Sequence, residues 1–238
     1  MKYILIIICS LFFLSACATA QSPSDKENNI QEEQVNENIK ESKDESQGEK
    51  KEEQQGSVDE DIDYTKFFMP DNSTSYFLGE GNEYATFNVH TKWLSDRFVA
   101  LVENNGGAVM LRIYKVMDEF NKIDKIYDEM IEDLPNNVQY PSVDELNSLP
   151  AIETYLNGPI EVGTTIGKWK ITEVDMTLDT PYQTFEHVFV LEETSENYIN
   201  RKYFAFGYGE IKRESIMHNE GAEDFIVTST LENIETAK

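Results

Sequence analysis

The chain has 238 residues, 45 of them acidic and 20 basic, for a formal net charge of −25, with two cysteines and three histidines. That balance disfavours unassisted binding to nucleic acid or to an anionic membrane surface, because both select basic faces. Two cysteines, one of them (Cys9) inside an N-terminal apolar run, leave no material for a disulfide framework, cysteine-ligated zinc or an iron–sulfur cluster.

The chain opens with Met1-Lys2-Tyr3 and an apolar run over residues 4–14. A bilayer-spanning helix takes about 20 apolar residues, so this run has the length of a secretory signal instead. Leu14-Ser15-Ala16-Cys17 follows directly. This tetrapeptide resembles the bacterial lipobox, and the resemblance implies cleavage between Ala16 and Cys17 with diacylglycerol on the Cys17 sulfur. On that reading the protein is exported and held on the outer face of the cell membrane by lipid, and no free thiol survives maturation. Each buried CH₂ of an acyl chain contributes about 0.8 kcal/mol, so two or three chains anchor it almost permanently.

Residues 18–63 are built of Gln, Glu, Asn, Lys, Ser and Asp, with fifteen acidic residues against five lysines. Such a segment buries too little apolar surface to offset its ordering entropy, which predicts a disordered acidic tether. Linker scaling gives its 46 residues a reach of roughly 40 Å, suited to spacing a domain from a membrane. Within it, Asp59-Glu60-Asp61-Ile62-Asp63 resembles the opening of an EF-hand loop. The match fails at Tyr64, where the sharp turn needs Gly, and at Pro70, where a bidentate Glu belongs. A solvated acidic hinge is the better reading, and no metal site is expected.

From Tyr64 the composition changes to aromatic and β-branched residues, which marks a globular domain over 64–238. Period-two alternation predicts strands over 84–90, 97–103 and 108–116, the last two joined by Asn104-Asn105-Gly106-Gly107, whose residues tolerate φ > 0. Residues 120–134 fit either a strand or a helical stripe, with a strand over 122–128 preferred. Ser142-Val143-Asp144-Glu145 has capping-box spacing and predicts one short helix over 143–149, closed by Pro150. Strands follow over 169–175, 184–192, 200–206, 210–216 and 225–232. About nine strands with closely spaced turns indicate an all-β antiparallel meander, a curved sheet or open barrel with at most one or two short helices.

Three segments carry a resemblance. Gly158-Pro159-Ile160-Glu161-Val162-Gly163-Thr164-Thr165, then Thr180-Pro181-Tyr182-Gln183-Thr184-Phe185, then Tyr203-Phe204-Ala205-Phe206-Gly207-Tyr208-Gly209-Glu210-Ile211-Lys212-Arg213-Glu214 resemble, in this order, the turns of uncharacterised cell-surface lipoproteins of low-GC Gram-positive bacteria. The likeness covers about residues 76–234 and implies a C-terminal β-meander. Tyr182-Gln183 and Ile166-Gly167 depart from that pattern, which implies longer turns. The resemblance implies no activity.

No Gly-x-Ser-x-Gly elbow, His-Glu-x-x-His, phosphate loop or dinucleotide glycine pattern occurs. His90 and His187 fall in predicted strands and His218 in a polar turn, too far apart for a local ligand pair. Acidic residues are many, yet no spacing selects two as a hydrolase pair. The aromatics read first as core and cross-strand packing, and second as the wall of an apolar groove inside a curved sheet. The 175-residue domain carries Arg201-Lys202 and Lys212-Arg213 as its only adjacent basic pairs. The expectation is a non-catalytic envelope lipoprotein without cofactor. It binds an envelope or extracellular protein or, alternatively, carries an amphipathic, lipid-like ligand; a hydrolase ranks third. Cys17→Ser is expected to leave uncleaved, unlipidated precursor, read by intact mass and membrane fractionation. Normal mass and retention of that variant would contradict the lipobox reading.

Overall fold

A computed structural model of the chain describes residues 62–132, 137–219, 221 and 223–236. The chain divides into two units, Met1–Glu53 and Gln54–Lys238, and every described residue belongs to the second. The signal segment with Ala16 and Cys17, and the tether up to residue 61, lie outside the described residues.

Twelve strands make one antiparallel sheet: β1 (Ser73–Glu80), β2 (Phe87–Trp93), β3 (Phe98–Asn104), β4 (Val109–Met117), β5 (Lys122–Ile131), β6 (Glu153–Asn157), β7 (Thr165–Ile166), β8 (Trp169–Asp179), β9 (Thr184–Thr194), β10 (Tyr198–Ala205), β11 (Gly209–Met217) and β12 (Phe225–Thr236). Sequence neighbours pair throughout except between β6 and β7, and β1 pairs with β12. The edge strands β6 and β7 lie against each other without a ladder, so the sheet is a nearly closed barrel. Register shifts accompany the curling: between β1 and β12 at Tyr76/Phe77, between β4 and β5 at Ile113/Tyr114, between β5 and β6 at Ile123/Asp124, between β10 and β11 at Tyr203/Phe204, and at three places between β8 and β9. Each extra residue bends its strand and sharpens the local twist.

The all-β expectation holds, with twelve strands where nine were expected. β1 escapes the pattern because its inward positions include the buried serines Ser73 and Ser75 in place of large apolar residues. β6 and β7 are too short to show alternation. The strand expected over 84–90 starts only at Phe87, because Asn82 turns the chain: its Oδ1 accepts from the Tyr84 N–H and its carbonyl from the Ala85 N–H. Residues 122–131 are strand, held on both sides by β4 and β6.

The predicted helix is present as α1 (Val143–Ser148), with a complete capping box between Ser142 and Glu145. Its buried Leu146 packs with Val138, Phe98, Ala100, Val102, Leu111, Ile113 and Ile126. This cover over one face of β3 to β5 explains the near-continuous apolar run of β3, where Phe98, Val99, Ala100 and Val102 are all buried. A strand covered on both faces loses polar alternation.

Before β1, a 3-10 turn over Tyr64–Phe67 is capped by Asp63, whose side chain accepts from the Thr65 N–H. Tyr64, Phe67 and Phe68 pack with Val99, Tyr114, Leu156, Ile171, Phe189 and Phe204, so this segment plugs the barrel from inside. The β10–β11 hairpin closes on the plug, the Gly207 N–H donating to the Lys66 carbonyl at 2.8 Å. Gly207 and Gly209 have φ of 86° and 77°. A Cβ on Gly209 would lie 2.4 Å from the Phe67 carbonyl oxygen, whereas one on Gly207 would meet nothing within 4 Å. Gly207→Val is therefore expected to cost about 1 to 2 kcal/mol from backbone strain alone, and Gly209→Val more, about 3 kcal/mol, as the plug is displaced. Urea melts check this, and equal midpoints for both variants and wild type would overturn the hairpin assignment.

Candidate functional site

The barrel interior holds a partly open cavity of about 490 Å³, lined by residues from every strand but β7 and by Phe67, Phe68 and Met69 from the segment before β1. Small-molecule sites typically occupy about 300–1,000 Å³. Its walls differ in character. Phe68, Tyr114, Tyr155 and Trp169 supply aromatic lining, in which the Tyr114 and Tyr155 rings lie 4.6 Å apart. Other lining residues are charged.

The charged residues form a chain of alternating sign running across the lumen. Arg213 on β11 is bound through Nε to Glu210 at 2.5 Å and through Nη2 to Glu103 on β3 at 2.9 Å. Three strands separate β11 from β3 in the sheet, so this ion pair crosses the interior instead of following a ladder. Glu103 also meets Arg112 at 3.4 Å, and Arg112 meets Asp128 at 3.4 Å. Asp128 binds Lys125 at 2.5 Å, which reaches Glu153 on β6 at 3.0 Å. Arg213 further lies 4.2 Å from the Phe87 ring centroid, a cation–π contact.

Burial penalises the Glu103 charge, but Arg213 and Arg112 beside it more than compensate and hold its carboxyl below the ordinary 4.5. A carboxylate depressed in the folded state stabilises the fold above its unfolded pKa. That contribution is lost as pH falls from about 4.5 through the folded value. Arg112 and Arg213 are pushed up against the opposing effect of burial by the carboxylates around them. The Tyr114 and Tyr155 hydroxyls are raised by burial and stay protonated at neutral pH.

The two basic pairs of the sequence explain the division of faces. Strand alternation turns Lys202 and Arg213 to the lumen, directly opposite each other, and leaves Arg201 opposite Glu214 on the other face. There Arg201 binds Glu192 at 2.8 Å and Glu214 at 3.1 Å, and Lys212 meets Glu214 at 3.5 Å. Lys202 is pushed down by burial, with Glu210 and Glu153 opposing and Arg213 and Arg112 adding to the effect. Lys202, Arg213 and Tyr155 are enclosed by protein yet keep accessible surface, because that surface faces the cavity.

The histidines stay apart from this site. His90 on β2 contacts the Thr74 hydroxyl at 3.1 Å. His187 is exposed, pairs with Asp175 and has its pKa raised by it; both residues have positive φ where the β8–β9 register is irregular. His218 meets Asp224 at 3.1 Å. Among the described residues no group of three or more His, Cys, Asp or Glu side chains is arranged to hold a metal ion. Asp63 of the EF-hand-like stretch serves as a helix cap. Most aromatics fill the core, including Tyr64, Phe77, Phe87, Phe98, Phe185 and Phe204, while Tyr84 and Phe206 are exposed. Where the second reading of the aromatics was an apolar groove, the lining is charged as well as aromatic. Sequence reading missed the charged chain because its members are spread over 103–213; inward charges on alternating strands were the available signal. The resembling turns fall at the cis Gly158–Pro159 bond, at Thr180 and Gln183 bonded to each other, and at the Gly207–Gly209 turn.

No family model and no curated protein matches the chain. Among solved structures it is similar to a Bacteroides fragilis protein described as exported with a YmcC-like fold, at 11% identity and a TM-score of 0.41 over 71% of this chain and 98% of that one. It is also similar to a Parabacteroides distasonis protein described as a lipoprotein, at 10% identity and a TM-score of 0.39 over the same shares. At this identity neither likeness bears on activity.

Proposed function

We propose that this protein is an extracytoplasmic lipoprotein, anchored through Cys17, whose barrel binds a small amphipathic molecule in its lumen without converting it. The anchor reading rests on Leu14-Ser15-Ala16-Cys17 behind a signal-length apolar run. The ligand reading rests on one observation above all, the 490 Å³ cavity lined from all sides of the barrel. Its mixed lining, aromatic and charged, matches a molecule with an apolar body and a polar group. A long acyl chain fits the expectation of a lipid carrier less well, because its tail would have to lie along buried ion pairs. A binding role is supported by the engagement of the lumen carboxylates Glu103, Asp128, Glu153 and Glu210 with basic groups. General acid–base work favours a group titrating near the working pH, and Glu103 is held as carboxylate.

A second reading, docking to an envelope protein, draws on exposed Phe225 and Met217, which face each other on β12 and β11 beside exposed Ile226. Nucleic acid is disfavoured by charge in both readings.

The test is to purify the full chain from membranes in non-ionic detergent and analyse a denaturing extract by mass spectrometry. About one small molecule per chain is expected with wild type, and none with Val89→Trp, which fills the lumen. An empty wild-type chain would contradict the ligand reading.

A further inference from the structure

The β10–β11 ladder places Lys202 opposite Arg213 with both side chains toward the lumen. Like charges opposite each other on an antiparallel pair repel, and the fold answers this for one of them only. Arg213 is bracketed by Glu103 and Glu210. Arg112, Lys125 and Lys168, which also border the cavity, and Arg201, whose side chain turns to the other face of β10, each have a carboxylate within 3.4 Å. Lys202 has none within 4.0 Å, and its Nζ donates no hydrogen bond to any described residue. Its Nζ lies instead 4.8 Å from the Trp169 ring centroid and 5.5 Å from that of Tyr155.

An ammonium that faces a cavity and feels Glu210 and Glu153 only at a distance, with no carboxylate in ion-pair contact, keeps a direct partner position open. Resting on the reading of the lumen as a ligand site, we infer that Lys202 anchors the anionic group of the ligand, a carboxylate or a phosphate. Trp169 and Tyr155 border the amine, so an apolar or aromatic group bonded to that anion meets their rings. The selectivity is local. The other lining bases are engaged in ion pairs, and the anion is drawn by the one lining base with no carboxylate within 4.0 Å among the described residues.

The inference is tested by titration calorimetry on the full chain in non-ionic detergent, with detergent blanks, using benzoate, phenyl phosphate and neutral benzyl alcohol. Wild type is expected to bind at least one anion about tenfold or more tighter than benzyl alcohol, and the tighter anion separates carboxylate from phosphate. Lys202→Met is expected to bind all three alike, and Lys202→Arg to keep the preference for an anion. Urea melts establish that each variant is folded, and the Arg variant carries the test if the Met variant is not. Benzyl alcohol bound as tightly as both anions, or an anion preference kept by folded Lys202→Met, would overturn the role of Lys202 while leaving the lumen a binding site. If no probe binds, the inference falls, and the ligand-site reading stands or falls on the co-purified molecule alone.

Discussion

The ion pair between Glu103 and Arg213 is the interaction on which the rest of the interior depends. It ties β3 to β11 across the lumen, two strands that share no ladder. About eight strands make a barrel that inward side chains just fill, and twelve leave a wider lumen. Here two long, charged side chains meet across that lumen and keep part of their surface accessible, so an ion pair joins walls that packed apolar side chains do not. The pair does not stand alone. Glu210 supports Arg213 from the same strand, and Arg112 supports Glu103 from the neighbouring one. Removing one partner of such a pair leaves its counter-charge enclosed and uncompensated, which costs far more than the pair itself contributes.

The plug defines the other boundary of the cavity. Tyr64, Phe67 and Phe68 occupy one part of the barrel with aromatic side chains, and the charged chain occupies the rest. The cavity lies between them, which gives it both apolar and polar lining. Gly209 makes this arrangement possible at backbone level, since only a residue without Cβ lets the Phe67 carbonyl approach the hairpin so closely. Lys202 sits where the two environments meet, against Trp169 and Tyr155 on one side and opposite Arg213 on the other.

Much of the fold was legible in sequence, and the reasons are local. Ser142 and Glu145 announce α1 because a capping box is a short-range pattern. Gly207 and Gly209 announce their turn because φ > 0 is a residue-level demand. What was not legible is of longer range. Ser73 and Ser75 conceal β1, because a lumen that is partly polar does not require large apolar residues at every inward position. The charged chain joins residues 110 positions apart, as Glu103 and Arg213 are, and no spacing rule reaches that far. Arg201-Lys202 and Lys212-Arg213 stood out in the sequence as charge alone. Their division between two faces follows only once β10 and β11 are in register.

The measurement that tests this account most directly is a double-mutant cycle on the stability of the full chain, using Glu103→Gln, Arg213→Met and both together. The account predicts that each single change is strongly destabilising, that the double change costs less than their sum, and that the coupling is about 1.5 to 3 kcal/mol. Additive effects, with coupling within about 0.5 kcal/mol of zero, would show that the two walls are not tied through this pair and would contradict the account.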